Sequence, residues 1–285
     1  MTTHAFGYAK LDRPEVLQAL FHPRKEMGSG PPPGTIDRDI TVDEGVRIGA
    51  RFHMAAADDP NIVFFHGNGE IVADYDPIGP MYNEHGLSFL AVDYRGYGRS
   101  GGLPTATAMI RDAHVVFKEV RSWLKQANRT GPLFVMGRSL GSACAVDLAA
   151  SYEGDIAGLI IESGFALTIP LLNCLGVDTH ALGITEADGF KNLEKIGQFP
   201  KPTLIIHARY DQIIPVMSAE LLQVHCAARS KEFQMIPGAD HNTIMVHAGK
   251  HYFEIIKRFT NKVEGKRPRE KHYFRNRRRR ASESH

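Results

Sequence analysis

Cysteine is scarce in this sequence, and long apolar runs are absent. Cys144, Cys174 and Cys226 are odd in number and form no C-x-x-C pair, which argues against a disulfide framework and a zinc site. No apolar run approaches the roughly 18 residues that a membrane-spanning helix needs. The first ten residues also lack the charged-then-apolar order of a secretion signal. These absences predict a protein of the reducing cytoplasm.

The small net charge of +2 conceals an uneven distribution. Residues 261–285 contain ten Lys or Arg and three Asp or Glu, so 24 of the 34 basic and 29 of the 32 acidic side chains belong to the other 260 residues. Five arginines lie near two aromatic residues in this tail: Arg275, Arg277, Arg278, Arg279 and Arg280, with Tyr273 and Phe274. Such a run is typical of a disordered, solvated tail. The alternative is a segment that touches nucleic acid or an anionic membrane surface.

The body of the chain alternates buried-strand patterns with helical patterns. A hairpin is predicted over 35–42 and 46–54, followed by strands at 61–65, 87–92, 133–136, 156–161, 203–206 and 233–236. Helices are predicted at 74–85, 105–127, 142–150 and 241–259. Strands that alternate with helices of this length predict a mostly parallel sheet with helices on both faces.

The sequence predicts three segments, the second of which contains one insertion. Residues 1–35 combine a short helix, for which Asp12 is the candidate cap and Pro14 the first turn, with a Gly/Pro-rich connector. The α/β domain spans 36–260, and 261–285 is the basic tail. Within the domain, the segment 165–199 is longer than an ordinary connection between two strands. We therefore predict that it forms a cap over the carboxyl edge of the sheet, where open α/β sheets bind ligands.

The segment Gly137-Arg138-Ser139-Leu140-Gly141 lies between an apolar strand pattern and a small-residue helical pattern. A G-x-S-x-G sequence in this context predicts a nucleophile elbow, a tight strand-to-helix turn that exposes the serine hydroxyl. The helix N-terminus that follows favours a developing oxyanion. The alternative is a serine that is simply buried in a turn.

Two further residues follow predicted strands and complete a possible triad. Asp211 comes soon after the strand at 203–206, and His241 follows the strand at 233–236. A serine hydroxyl needs a base within hydrogen-bond reach, and that base needs an orienting acid. The chain order Ser, Asp, His, with each residue at a strand's carboxyl end, suits this chemistry. Glu162 ends another strand and is the alternative acid.

These motifs resemble those of the α/β-hydrolase superfamily over residues 36–260. The shared segments are H-G-N-G at 66–69, D-Y-R-G-Y-G-R-S at 93–100, the elbow, D-Q-I-I-P at 211–215 and G-A-D-H at 238–241. The sequence is most similar to the small-capped branch that includes serine-aminopeptidase-like hydrolases. The resemblance implies an α/β-hydrolase fold with Ser139 as nucleophile, Asp211 as acid and His241 as base. It also implies an oxyanion hole formed by the backbone N–H groups of Asn68 and Leu140.

Four residues are candidates for substrate binding. Glu70 follows the expected oxyanion loop, where it is either a solvated loop residue or a carboxylate that attracts a cationic substrate group and repels an anionic one. Leu171, Leu172 and Leu175 are closely spaced in the expected cap. They either cover the core or line a modest acyl pocket, and both roles are compatible.

The expected reaction is hydrolysis of a small acyl substrate, a carboxylic ester or thioester, through an acyl-Ser139 intermediate, with no metal and no cofactor. A serine at the elbow, where related dehalogenases carry aspartate, favours acyl transfer to water. Two alternatives remain at this point. One is a peptidase that removes short N-terminal residues, and the other is a non-catalytic hydrolase-fold protein that binds a ligand or partner.

Overall fold

The computed structural model describes residues 7–28 and 30–266. This part of the chain contains one sheet of eight strands: β1 (Thr35–Asp43), β2 (Val46–His53), β3 (Asn61–Phe65), β4 (Ser88–Val92), β5 (Leu133–Arg138), β6 (Gly158–Glu162), β7 (Thr203–Ala208) and β8 (Lys231–Ile236). Their order is β1-β2-β4-β3-β5-β6-β7-β8. β1 is antiparallel to β2 and β2 to β4, and all other neighbours are parallel. The carboxyl ends of β3 to β8 therefore lie along one edge.

The central strands are buried on both faces. In β3 and β5 the register pairs Val63 with Val135 and Phe64 with Met136. Because successive side chains of a strand point to opposite faces, Val63 and Val135 belong to one core cluster, and Phe64 and Met136 belong to the other. This double burial explains why the strands appear in the sequence as continuous apolar runs rather than alternating ones.

Helices cover both faces of the sheet. The described helices are α1 (Pro14–Leu20), α2 (Gly79–Glu84), α3 (Ala106–Gln126), α4 (Gly141–Ser151), α5 (Thr168–Cys174), α6 (Asn192–Ile196), α7 (Val216–His225), α8 (Ile244–Ala248) and α9 (Lys250–Val263). The clustered hydrophobic residues of α1, α3, α4 and α7 belong to one core cluster, and those of α2, α8 and α9 belong to the other. None of these helices combines the length and the apolar content needed to cross a membrane.

Two helix predictions differ from the structure, and some helices of the structure lie outside every predicted range. The helix predicted at 74–85 is a short 3-10 turn, Val72–Tyr75, followed by α2, since Pro77 lacks the N–H that a continuous helix would use. The helix predicted at 241–259 is divided into α8 and α9 at Gly249, whose φ of 51° and ψ of −133° lie outside the helical region. α7 has no counterpart among the predicted helices.

The inserted cap is smaller than the predicted range 165–199. Its first part forms α5, but α6 packs against α4 and α7 and so belongs to the helix layer of the domain. Phe190 and Phe199 are fully buried in the main core cluster for the same reason. The rest of the range, from α5 to the 3-10 turn at Glu186–Asp188, packs on the same cluster through Leu172, Val177 and Ile184.

The N-terminal segment packs onto the same core as the rest of the domain. Leu11, Val16 and Leu20 are at most 1% exposed and belong to the main cluster. Asp12 does not cap α1, because its carboxylate accepts a hydrogen bond from the backbone N–H of Thr107, at the start of α3. At the other end of the chain, the arginine cluster of the basic tail lies outside the described residues.

Candidate active site

The elbow has the strained geometry that its sequence predicts. Ser139 has a φ of 50°, which is unusual for a residue other than glycine. The turn is closed tightly: a Cβ added at Gly137 would overlap the carbonyl of Gly141, and one at Gly141 would overlap the carbonyl of Phe65. Glycine is therefore required at both positions, and the serine is held where β5 meets α4.

His241 bridges Ser139 and Asp211. Its Nε2 is 3.0 Å from Ser139 Oγ, and its Nδ1 is 2.7 Å from Asp211 Oδ2. The other oxygen of Asp211 accepts hydrogen bonds from the backbone N–H groups of Ile213 and Ile214, at 3.0 and 2.8 Å. Because an ionised carboxylate only accepts, the imidazole proton lies on Nδ1, and Nε2 is free to accept the serine proton.

The electrostatic environment favours an ionised Asp211. Burial raises the pKa of its carboxyl group, but the hydrogen bond and charge of His241 and the backbone N–H of Ile214 outweigh burial, so the net pKa is lowered. His207 lies close by, and its Nε2 donates to the carbonyl of Ile214 at 2.8 Å. Burial lowers the pKa of His207, so this second imidazole stays neutral and supports the loop that carries Asp211.

Glu162, the alternative acid, contacts Tyr252 and Arg138 rather than His241. Its side chain is 2% exposed, accepts a hydrogen bond from the Tyr252 hydroxyl and pairs with Arg138 Nε at 3.2 Å. Burial raises the pKa of Glu162 even though Arg138 and Tyr252 oppose this effect. Because the Nδ1 atom of His241 is hydrogen-bonded to Asp211, the geometry favours Asp211 as the orienting acid.

The two expected oxyanion donors face the same cavity as Ser139. Within the described part of the chain, no protein acceptor takes the backbone N–H of Asn68 or of Leu140. Both residues line the cavity beside Ser139. α4, of 11 residues, begins directly after Leu140, so its N-terminal end is directed at the same place.

Glu70 lies in a different place from the one expected. It is not a solvated loop residue, and it does not line the cavity. Its carboxylate pairs with Arg138 and accepts hydrogen bonds from the backbone N–H of Gly67 at 2.8 Å and the Tyr75 hydroxyl at 2.6 Å. Burial raises its pKa, but Arg138, Tyr75 and Gly67 together lower it below the usual value. The charge of Glu70 is thus neutralised within the protein.

Arg138 is a site residue that sequence reasoning missed. Its guanidinium pairs with Glu70 and Glu162 and donates to the backbone carbonyl of His241 at 2.8 Å. A signal was present in the sequence, since an arginine between the elbow glycines, directly after a buried strand, must find acidic partners. Which carboxylates those are depends on strands that lie far apart in the sequence.

A cavity of about 240 Å³ opens beside Ser139. Its lining is Leu20, His22, Asn68, Arg138, Ser139, Leu140, Leu171, Leu175, Ile213, His241 and Asn242. Leu171 of α5 and Leu175, which follows its last residue, face this cavity as expected, whereas Leu172 is fully buried in the core and does not. Leu20 and His22 are contributed by the N-terminal segment, which the sequence analysis placed outside the domain.

Comparisons with known proteins agree with this architecture. A family model described as serine aminopeptidase, S33, matches residues 57–175. The alpha/beta hydrolase domain-containing protein 17B of Homo sapiens is 30% identical over 205 residues, which are 70% of this chain and 66% of that protein. An uncharacterized protein of Mycobacterium tuberculosis is 28% identical over 228 residues, 78% of each chain.

Two solved structures show the same fold. An esterase of Pyrococcus furiosus matches with a TM-score of 0.68 and 18% identity, over 84% of this chain and 98% of that one. A soluble variant of monoglyceride lipase from Saccharomyces cerevisiae matches with a TM-score of 0.61 and 18% identity, over 79% and 94%. Together, the fold and the sequence relatives show that this protein is a hydrolase. The chain belongs to the α/β-hydrolase superfamily.

Proposed function

We propose that this hydrolase cleaves a carboxylic ester or thioester through an acyl-Ser139 intermediate. The observation that carries the proposal is the pair of hydrogen bonds by which His241 joins Ser139 Oγ and Asp211, at 3.0 and 2.7 Å. A serine hydroxyl is a poor nucleophile until a base is positioned to take its proton. The strained φ of Ser139 supports the same role, because strain at a buried serine is typical of a functional turn.

The proposed reaction has two acyl transfers. Ser139 Oγ attacks the substrate carbonyl carbon while its proton passes to His241 Nε2, and the N–H groups of Asn68 and Leu140 bind the resulting oxyanion. The tetrahedral intermediate collapses, and His241 gives that proton to the departing alcohol or thiol. A water molecule then attacks the acyl carbon while His241 takes one of its protons. The second tetrahedral intermediate collapses, the bond from the acyl carbon to Ser139 Oγ breaks, Oγ takes the proton back from His241, and the acid leaves.

The dimensions and the partly apolar lining of the cavity support a small acyl group. Its volume of about 240 Å³ is below the range of about 300–1,000 Å³ typical of pockets for drug-sized ligands. Leu20, Leu171, Leu175 and Ile213 make one part of its wall apolar. We therefore propose a graded preference for short to medium acyl chains, since one methylene in such a pocket changes discrimination by about 1–3 kcal/mol.

An aminopeptidase activity is the second candidate, because the matching family model carries that description. An aminopeptidase has to bind the substrate's terminal ammonium group, for which a carboxylate is the usual partner. None of the described residues that line the cavity is acidic, and Glu70 is paired with Arg138. The charges of the site thus favour an ester or thioester over an N-terminal peptide bond.

Probe labelling and a substrate panel test the proposal. We expect a fluorophosphonate probe to label the wild-type protein and not Ser139→Ala, and p-nitrophenyl esters and acyl thioesters to be hydrolysed. Aminoacyl-arylamides should be cleaved at least about 100-fold less efficiently, corresponding to about 2.7 kcal/mol. A protein that folds but neither reacts with the probe nor cleaves any ester or thioester would be a binding protein. Faster arylamide cleavage would make it a peptidase.

A further inference from the structure

A segment before the first strand runs across the proposed oxyanion loop. We name residues 20–26 the N-terminal strap. The strap is held on one side by the loop around Gly98, whose N–H donates to the carbonyl of Arg24 at 2.9 Å. Lys25 adds a hydrogen bond from Nζ to the carbonyl of Ser100 at 2.8 Å. The strap is therefore anchored to the domain, and its other side is available to contact residues 67–70.

His22 of the strap binds the side chain of Asn68 at both ends. Asn68 Oδ1 accepts from the backbone N–H of His22 at 2.8 Å and from the Tyr97 hydroxyl at 2.7 Å, while Asn68 Nδ2 lies 2.7 Å from His22 Nδ1. Because an amide nitrogen only donates, His22 Nδ1 is the acceptor, and the ring proton lies on Nε2. Three hydrogen bonds thus fix a side chain whose own backbone N–H is a proposed oxyanion donor.

Arg24 holds the next part of the same loop. Its Nε donates to the carbonyl of Gly69 at 2.7 Å, and its guanidinium pairs with Asp74. Gly69 has a φ of 75°, and a Cβ there would meet nothing within 4 Å, so the turn at this position has few packing contacts of its own. The strap therefore supplies contacts that the loop does not obtain from the body of the domain.

We infer that the N-terminal strap completes the active site, with His22 as a positioning residue for the oxyanion donor at Asn68. This inference rests on the proposed function. Removing one oxyanion donor typically lowers kcat by about 10²–10³-fold, and a misdirected donor loses part of that effect. Because the oxyanion forms only after attack, the loss should appear in kcat and leave KM nearly unchanged. Leu20 and His22 also line the cavity, so the strap forms part of its wall.

Four variants test the positioning role of His22. We expect His22→Ala and His22→Phe, which remove the acceptor for Asn68 Nδ2, to lower kcat for a reactive ester about 10–100-fold with KM within about threefold. His22→Gln restores an acceptor and should recover to within about fivefold of wild type. Glu15→Ala, an exposed change on α1 in the same segment, is the control and should keep wild-type kinetics and the wild-type melting temperature.

Amide hydrogen exchange gives a readout that does not depend on turnover. In His22→Ala, the hydrogen-bonded amides of Gly67 and Glu70 should exchange faster than in wild type, while those of β3 stay protected. Unchanged exchange, or a kcat within twofold of wild type in both His22→Ala and His22→Phe, would overturn the inference while leaving the proposed function intact. Absence of any probe labelling in wild type would instead refute the proposed function, and the exchange result would still decide whether the strap holds the loop.

Discussion

Arg138 is the residue through which three separate parts of the site are joined. It follows Gly137 in the elbow, pairs with Glu70 near the oxyanion loop and with Glu162 at the end of β6, and donates to the His241 carbonyl. Its side chain is 9% exposed, so the charge is satisfied by these partners rather than by water. Breaking a buried ion pair by removing one partner leaves an uncompensated charge, which is far more costly than losing an exposed pair.

We predict that Arg138→Gln lowers the free energy of unfolding by about 3–5 kcal/mol. Glu70→Gln should be milder because Arg138 keeps Glu162, and the double variant should lose about 1–3 kcal/mol less than the sum of the two single variants. Urea denaturation of the four proteins measures this coupling. Arg121→Gln is the matched control, since its pair with Asp155 is more than one third exposed and should contribute less than about 1 kcal/mol. Strict additivity would show that Arg138 and Glu70 do not act together.

The choice between two acids is also decided at the level of single residues. We predict that Asp211→Asn lowers kcat about 10⁴-fold, because an amide in this position can hold His241 in the wrong tautomer. Glu162→Gln should keep kcat within about tenfold, since its contacts are with Tyr252 and Arg138. Steady-state kinetics on one reactive ester separates the two. Near-wild-type turnover in Asp211→Asn together with an inactive Glu162→Gln would reverse the assignment.

Among the structural elements, α5 is the part of the cap that reaches the cavity. Leu171 and Leu175 line it, while Cys174 between them is exposed on the outer side. We predict that Leu175→Phe reduces kcat/KM for octanoyl esters at least about tenfold relative to acetyl esters, because the larger ring occupies space that longer chains need. Cys174→Phe adds even more bulk outside the cavity and should leave the chain-length profile unchanged. An unchanged profile in Leu175→Phe would mean that α5 only covers the core.

The break between α8 and α9 depends on a single glycine. Gly249 has a φ of 51° and a ψ of −133°, a combination that side chains with a Cβ rarely adopt, although nothing lies within 4 Å of a Cβ placed there. We predict that Gly249→Ala lowers the free energy of unfolding by about 1–3 kcal/mol through backbone strain alone. Gly154→Ala, where a Cβ also has open space but φ is not positive, should change it by less than about 1 kcal/mol. Equal midpoints for the two variants in urea would contradict this account.

For the whole molecule, acid should destabilise the fold. Burial raises the pKa values of Glu70, Asp147 and Asp211, but their partners outweigh burial and hold all three below the ordinary range. Groups with a lowered folded-state pKa stabilise the protein above their unfolded pKa of about 4, and this stability is lost as pH falls through the folded-state pKa. Glu162, whose pKa burial raises, acts in the opposite direction, but it is one group against three.

We predict that the urea midpoint falls steadily between pH 5 and pH 3. Asp147 pairs with His114 at 2.6 Å and with Lys195, so Asp147→Asn should reduce the slope of stability against pH in this interval. Glu15→Gln, an exposed carboxylate on α1, should leave the slope as in wild type. A midpoint that rises on acidification would mean that Glu162 dominates the pH dependence of the fold.

The sequence by itself determined the elements that depend on local pattern. The buried strands, the long helix α3 and the elbow were predictable, because burial on both faces, helical periodicity and a turn that excludes Cβ atoms each leave a local signature. The sequence also predicts Ser139, Asp211 and His241 as the candidate triad, and the structure brings their side chains together. Each comes soon after the carboxyl end of a strand, and parallel strands place those ends along one edge.

Only the tertiary structure decided which distant residues meet. The partners of Glu70 could not be predicted, because Arg138 lies 68 positions further along the chain and approaches through the pairing of β3 with β5. The sequence predicts the N-terminal segment as a separate unit, because nothing in its pattern indicates that Leu20 and His22 reach the cavity. Local pattern depends on neighbours in the chain, whereas charge pairing and cavity walls depend on how the strands are ordered across the sheet.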